Sequence, residues 1–187
     1  YGDLPDLHSF PTRRSSDLYI GDSALIFADY YPKSIHCFEP NRHNYNLMLE
    51  TFKLNHLNNI SINQMGVGNS VKNAKIALMG SGSYITSYKG EKIPMTTIDV
   101  YSSDHKLKVG LIKMDIEGFE TQAVKGAKNT IEKDQPILLI SVYHDAEDFF
   151  EIPRLLKTWV PEYQFRFLNL DQDDPLMERV LLAYIDK

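Results

Sequence analysis

The fold of this chain is constrained most by one stretch, Lys113-Met114-Asp115-Ile116-Glu117-Gly118-Phe119-Glu120. An apolar run typical of a buried parallel strand precedes it, and an apolar pattern that predicts a helix follows it. Asp115, Glu117 and Glu120 are therefore expected at the C-terminal end of a strand, where ligands bind in open parallel sheets. Like charges at that place cost stability unless a ligand, a donor or a cation compensates them. The alternative is a solvated turn in which Glu117 and Glu120 favour the helix N-terminus.

Strand-like and helix-like segments alternate along the chain. This alternation predicts an α/β fold with a doubly wound, mostly parallel sheet. Strands are expected at 34–38, 60–65, 109–114 and 137–142, and two closing strands, expected to be antiparallel, at 163–168 and 180–185. Helical patterns begin near 24, 40, 119 and 149.

Residues 69–99 carry turn signals and short β-like runs rather than a strong helical pattern. They predict a β-hairpin insertion above the sheet. The tip is expected at Ser81–Tyr84, which could act as a lid or be an idle surface hairpin.

Four other stretches stand in order around the acidic one: Gly21–Leu25, Cys37–Asn41, Met65–Gly68 and Ser141–His144. With Lys-x-Asp-x-Glu-Gly-x-Glu at 113–120 and Val-Lys-Gly-Ala behind it, the chain resembles the FkbM-type S-adenosylmethionine-dependent methyltransferases. The resemblance runs from about residue 19 to 184. It implies a Rossmann-like class I methyltransferase fold and S-adenosyl-L-methionine as cofactor.

Residues 8–18 read HSFPTRRSSDL, which is one forward-frame translation of a common short-read sequencing adapter. Residues 1–7 continue nearly the same frame upstream. We therefore predict that 1–18 is a non-native segment and that 19–187 is a single methyltransferase domain, truncated at its N-terminus. The first strand, and the first glycine of the cofactor loop that the resemblance implies, would then be replaced by foreign sequence.

Glu39 ends the second expected strand, where an acid can hydrogen-bond the hydroxyls of a ribose. The alternative is an ordinary acid at a strand end. The resemblance implies that the loop after the first strand passes the methionine end of the cofactor and that the loop after the third strand lines the adenine. The expected cofactor-binding residues are Gly21, Asp22, Ser23, Glu39, Gly66, Val67 and Asp115.

The candidate catalytic residues are Asp115, Glu117 and His144. Asp115 could bind the amino group of the cofactor, orient an acceptor hydroxyl or take its proton, and Glu117 could share that work. His144 follows the fifth expected strand and is a candidate base or acceptor-binding group, because the pKa of histidine lies near neutrality. The alternative is a histidine satisfied by Asp145 or by the backbone. Glu120 is expected to be a helix cap or an ion-pair partner.

Several classes of function are disfavoured. The net charge of −5 gives no support for a nucleic-acid partner. No apolar run approaches the ~20 residues of a membrane span. The lone Cys37 cannot form an internal disulfide, which favours a reducing compartment, and we expect a cytoplasmic protein. No i, i+4 pair of ligands supports a metal site.

The predicted function is S-adenosylmethionine-dependent O-methylation of a hydroxyl on a sugar, a glycan or another small metabolite. The resemblance alone carries the acceptor class. One alternative is a NAD-binding reductase, whose ribose Glu39 would also suit, although no Gly-x-Gly-x-x-Gly motif is present. A second alternative is a catalytically silent binding or scaffold domain.

Overall fold

The computed structural model describes residues 22–30, 34–79, 82–86, 90–170 and 178–186. The helices in these ranges are α1 (Asp22–Tyr30), α2 (Arg42–Leu54), α3 (Ile98–Asp104), α4 (Glu120–Lys125), α5 (Lys128–Asp134) and α6 (Asp148–Trp159). The strands are β1 (Ile35–Phe38), β2 (Ile60–Asn63), β3 (Gly66–Val67), β4 (Lys72–Met79), β5 (Gly82–Thr86), β6 (Glu91–Thr96), β7 (Leu111–Met114), β8 (Ile137–Ser141), β9 (Gln164–Asn169) and β10 (Arg179–Tyr184). None of these helices is long and apolar enough to span a bilayer.

The strands within these ranges form three sheets, with the orders β1-β2, β7-β8-β10-β9 and β3-β6-β4-β5. The α/β class is as predicted, but the sheets of the described strands are mixed and are not clearly one doubly wound, mostly parallel sheet. Only β1–β2, β7–β8 and β3–β6 are parallel, whereas four pairings are antiparallel. The reason lies in the connections. A parallel pair needs a crossover connection of about a dozen residues or more, whereas two residues separate β4 from β5 and nine separate β9 from β10.

The main hydrophobic core lies between the sheet of β7, β8 and β10 and the helices α4, α5 and α6. Its fully buried side chains include Ile131, Leu138, Ile140, Ile152, Leu156 and Leu181. A second cluster contains Cys37, Met48 and Phe52, so Cys37 is the small buried side chain that its strand position suggested. Burial raises the pKa of the Cys37 thiol to about 11.

The segment at 72–96 contains the predicted hairpin but extends it. β4 pairs antiparallel with both β5 and β6, so the insertion is three-stranded, and β3 joins it through β6. The expected tip at 81–84 is wrong in position, because Gly82–Tyr84 lie in β5 and pair with Ala77–Met79. Ser81 falls outside the described residues. Backbone pairing with β4 makes Gly82–Thr86 part of the sheet.

The helix predicted at 119–132 is two helices, with a break at Gly126-Ala127. A Cβ atom added at Gly126 would lie 1.9 Å from the carbonyl oxygen of Gly68, so the loop after β3 passes directly against the break. The Asp99 backbone N–H in α3 donates to the Gly126 carbonyl at 2.9 Å. The break is therefore set by close packing between three elements.

The carboxylate of Asp99 caps α5 from another helix. Its oxygens accept hydrogen bonds from the backbone N–H groups of Asn129 at 3.0 Å and Thr130 at 2.7 Å, and from both of their side chains. These N–H groups belong to the first turn of α5, where the helix supplies no acceptor of its own. The apolar pattern of 98–104 does not predict a helix, so this contact is not apparent from the sequence.

Candidate active site

Two parallel strands bring the predicted acidic stretch next to His144. β7 and β8 pair in a register that sets Met114 beside Ile140. Asp115 directly follows β7, and His144 lies three residues after the end of β8. Because the strands are parallel, both residues lie at the same edge of the sheet, as the sequence predicts for a ligand site.

The imidazole of His144 lies between three carboxylates. Its Nδ1 atom is 2.9 Å from Glu120 Oε1. Its Nε2 atom is 3.6 Å from Glu117 Oε2 and 3.8 Å from Asp115 Oδ1. Burial by itself lowers the pKa of His144, but the hydrogen bond and charge of Glu120, with the charges of Asp115 and Glu117, outweigh it and raise the pKa. His144 is therefore charged up to a higher pH than an ordinary histidine.

A left-handed turn carries Glu117 and Gly118 past His144. Glu117 has φ 56° and Gly118 has φ 86°. The conformation of Gly118 is one that a side chain disfavours, and a Cβ atom there would stand 3.8 Å from the Cβ of His144. The turn sends the chain back so that Glu120 begins α4 beneath the histidine.

Glu120 is an ion-pair partner, which was one of its two expected roles, and its partner is His144. The side chain of Glu120 is completely buried, and Oε1 accepts hydrogen bonds from the Ile116 backbone N–H and from His144, each at 2.9 Å. The alternative that Asp145 satisfies His144 is not what the structure shows, since Asp145 Oδ1 accepts from the Glu147 N–H at 2.9 Å. The local sign that this acid is buried was its apolar surroundings, Phe119 before it and Ala123-Val124 one turn later.

Asp115 is nearly buried, with its side chain 5% exposed. Burial raises its pKa to about 6, against the opposing effects of Lys113, Ser141 and His144. Lys113 Nζ lies 3.8 Å from Asp115 Oδ2, and the Tyr143 hydroxyl donates to Oδ1 at 3.4 Å. A carboxyl group held in this way changes its charge near neutral pH and is able to take or give a proton.

Glu39 directly follows β1 and is also partly buried. Its Oε1 accepts from the Asn41 N–H at 2.6 Å, and its own N–H donates to the Asn63 carbonyl at 3.0 Å. Burial raises the pKa of Glu39 to about 7, although hydrogen bonds from Asn41 and Asn44 oppose the shift. Asn41 also caps α2 through the His43 N–H. A buried carboxylate at a strand end, held by its own loop, fits a ligand that brings hydrogen-bond donors.

The edge at which β7 and β8 end also brings together three side chains that could bind a metal ion. Asp115, Glu120 and His144 each offer one ligand atom, and these atoms lie within 4.8 Å of one another. Glu120 Oε1 already takes part in two hydrogen bonds, to the Ile116 N–H and to His144, whereas its buried Oε2 atom has no hydrogen-bond partner in the described residues. The sequence-based expectation that no metal is bound stays a prediction.

Comparison with known proteins identifies the family. A family model described as the methyltransferase FkbM domain matches residues 17–167. The chain belongs to this family. The fold of this FkbM domain is similar to that in the crystal structure of methyltransferase FkbM from Methylobacillus flagellatus KT, with a TM-score of 0.70 and 23% sequence identity. The match covers 89% of this chain and 41% of that one. Among curated proteins, none matches the chain.

The remaining predicted cofactor residues of the FkbM domain lie on two segments. Asp22 and Ser23 begin α1, whereas Gly21 lies outside the described residues. Gly66 and Val67 form β3, paired with Met95 and Thr96 of β6. Gly66 is buried, and Val67 packs against the main core, so both are also structural positions.

Proposed function

We propose that this chain is the core of an S-adenosylmethionine-dependent methyltransferase that acts on a hydroxyl group of a sugar or another small metabolite. The observation that supports the proposal is the largely buried Asp115–His144 pair at the shared end of β7 and β8 in an FkbM domain. Such a pair offers both a carboxylate and an imidazole to a hydroxyl acceptor. It has no evident purpose in a silent scaffold, because burying these groups costs free energy.

The residues at the end of β1 fit the nucleoside part of the cofactor. Glu39 presents a carboxylate that is buried, restrained by Asn41 and able to accept hydrogen bonds from two ribose hydroxyls. Asp115 is proposed to face the methionine end of the cofactor or the acceptor. When bound, S-adenosylmethionine supplies an electrophilic methyl group on a sulfonium ion.

His144 and Asp115 would prepare the acceptor. A hydroxyl becomes a better nucleophile as its proton moves to a base within hydrogen-bond reach. His144 Nε2 is the proposed base, and Asp115 Oδ1, 3.8 Å away, is placed to orient the hydroxyl or to stabilise the imidazolium that forms. Holding acceptor and methyl donor along one axis would supply much of the rate enhancement.

The proposal is tested by titration calorimetry. The protein used is the natural full-length one, in which the upstream sequence of the gene takes the place of residues 1–18, because we predict that this segment is non-native. We expect S-adenosylhomocysteine to bind and NAD not to bind. Glu39→Gln should weaken the binding of S-adenosylhomocysteine, because hydrogen bonds to a charged acceptor contribute about 1.5–3 kcal/mol each. Glu50→Gln, an exposed position on α2, is the matched control and should bind like the wild type.

Three outcomes would contradict the proposal. Binding of NAD in place of S-adenosylhomocysteine would favour the reductase. Binding of neither ligand would favour a scaffold domain. Unchanged affinity in Glu39→Gln would remove Glu39 from the cofactor site. Release of S-adenosylhomocysteine in the presence of a panel of sugars and small hydroxylated compounds would then identify the acceptor class.

A further inference from the structure

We propose that Glu120 is a positioning residue, which holds the imidazole of His144 as the tautomer with its proton on Nδ1 and leaves Nε2 as the basic atom facing Asp115. The catalytic consequence rests on the proposed function. The tautomer itself can be measured without it.

The donors and acceptors at Glu120 fix the direction of the hydrogen bond. An ionised carboxylate only accepts, and Glu120 Oε1 already accepts from the Ile116 N–H at 2.9 Å. His144 Nδ1 lies 2.9 Å from the same oxygen, so Nδ1 must bring the proton. In a neutral imidazole the other nitrogen is then an acceptor. That nitrogen, Nε2, is directed toward the acidic groups at the end of β7.

Burial makes this restraint strong. Glu120 is completely buried, so water has little access to its carboxylate and cannot readily replace either bond. The hydrogen bonds also connect the chain after β7, through Ile116, with the chain after β8, through His144. The next residue, Thr121, donates to Asp148 Oδ1 at 2.5 Å and ties the start of α4 to α6. Glu120 therefore restrains the imidazole of His144, and Glu120 is itself restrained by the Ile116 N–H and by the contact of the next residue with α6.

The charge around the imidazole comes from several elements. Asp115 follows β7, Glu117 lies in the left-handed turn, Glu120 begins α4 and Tyr143 precedes His144 with a ring-centroid distance of 4.1 Å. Two further charged groups lie nearby. Lys113 is 3.8 Å from Asp115. The pKa of Asp148 in α6 is raised by burial and, to a smaller extent, by the charge of Glu120. Since only Glu120 contacts Nδ1 in the described residues, its removal should change the tautomer, whereas Asp115 and Glu117 act on Nε2.

Nitrogen NMR on the natural full-length protein, labelled with ¹⁵N-histidine, tests the tautomer directly. At a pH where His144 is neutral, we expect a pyrrole-type signal from Nδ1 and a pyridine-type signal from Nε2. Glu120→Ala should lose this preference. Glu120→Gln should keep it, because the amide oxygen can still accept from Nδ1. Glu147→Gln, an exposed change in the same loop as His144, is the control and should leave both signals in place.

The pH profile of turnover supplies a second readout, which a purely structural role of Glu120 would not change. Glu120→Ala should lower kcat by roughly 10²–10⁴-fold, as expected for loss of a general base, while the affinity for S-adenosylhomocysteine stays unchanged. Glu120→Gln should recover most of the rate, with the acidic limb of its pH profile moved to lower pH because a charge beside the imidazole is gone. In a His144→Ala background, Glu120→Gln should have no further effect on kcat, since Glu120 acts through His144.

Two results would overturn the proposal. One is a wild-type His144 with its proton on Nε2. The other is a Glu120→Gln variant whose pH profile does not move while its effect adds fully to that of His144→Ala. If Glu120→Ala does not fold, the wild-type tautomer and the Glu120→Gln profile still decide the question. Failure of S-adenosylhomocysteine to bind the wild type would instead count against the proposed function and leave the tautomer result intact.

Discussion

His144 is the residue whose loss should separate methyl transfer from cofactor binding. We expect His144→Ala to lower turnover by roughly 10²–10⁴-fold, because the proposed base is gone, and to leave the affinity for S-adenosylhomocysteine as in the wild type. Steady-state kinetics and calorimetry measure the two effects. His43→Ala, an exposed histidine on α2, is the control. Near-normal turnover in His144→Ala would make Asp115 the better candidate, and Asp115→Asn would show whether that carboxylate serves cofactor or acceptor.

An acid whose pKa is lowered by an ion pair makes the folded state more stable as pH rises. The buried carboxyl groups of Glu39 and Asp115 have the opposite effect. Burial raises the pKa of Glu39 from 4.5 to about 7 and that of Asp115 from 3.8 to about 6. Each group ionises at a lower pH when the chain unfolds, so the folded state loses stability as pH rises between the unfolded and folded values. The raised pKa of His144 acts in the same direction, because its stabilising charge is lost as pH rises through that value.

This sign can be measured in the cofactor-free protein. Between about pH 4.5 and pH 7, Glu39 should cost folding on the order of 3 kcal/mol. Glu39→Gln removes the ionisation, so its stability relative to the wild type should increase with pH over that window. Urea unfolding of both proteins at several pH values gives the difference. A difference that is flat with pH would show that Glu39 is not shifted in the folded state.

At the scale of elements, the loop after β3 packs closely against the break between α4 and α5, and this contact leaves no room for a side chain at Gly126. We expect Gly126→Ala to destabilise the protein by at least about 1–3 kcal/mol, because the added methyl group would meet the Gly68 carbonyl 1.9 Å away. Gly110→Ala is the matched control, since a Cβ atom there meets nothing within 4 Å and it should be neutral or slightly stabilising. Urea unfolding compares the two, and equal stability would contradict the close approach.

At the scale of the whole molecule, two of the three parallel pairs in the described ranges, β1–β2 and β7–β8, have edges that need a partner. In the described ranges β1 pairs with β2 and β7 pairs with β8, and each has a second edge whose N–H and C=O groups require hydrogen bonds. The resemblance implies a first strand that lies centrally, between β1 and β7, and we predict that the segment 1–18 in its place is non-native. Such a strand would bury several aliphatic side chains at about 1.5–3 kcal/mol each, which is comparable to a whole stability of about 5–15 kcal/mol.

Residues 1–187 expressed alone should therefore fold poorly and bind the cofactor weakly. We expect a broad thermal transition that S-adenosylhomocysteine does not raise, whereas the natural full-length protein should melt cooperatively at a temperature that rises with the ligand. Circular dichroism during heating measures both. A cooperative, ligand-dependent transition in residues 1–187 would show that the first eighteen residues are part of the domain.

The amino-acid sequence by itself determined the elements whose apolar pattern is local and strong. The strands β7 and β8, the helices α2 and α6 and the closing pair β9–β10 all lie within a few residues of their predicted positions. The sequence also placed Asp115, Glu117 and His144 at one edge, because the C-terminal ends of parallel neighbours meet there. These features depend on patterns of a few residues, which need no knowledge of distant partners.

Only the tertiary structure decided the contacts between residues far apart in the chain. Of the two roles expected for Glu120 it is the ion-pair partner, and its partner is His144. Asp99 caps α5 from α3, and the Gly68 carbonyl lies against the helix break at Gly126. Antiparallel pairing extends beyond the expected hairpin and closing pair, because β6 also pairs with β4 and β10 also pairs with β8. The physical reason is common to all of them. A buried polar group needs a hydrogen-bond partner, and a glycine is required where another segment comes too close for a side chain. In both cases the neighbour is set by the packing of the whole fold.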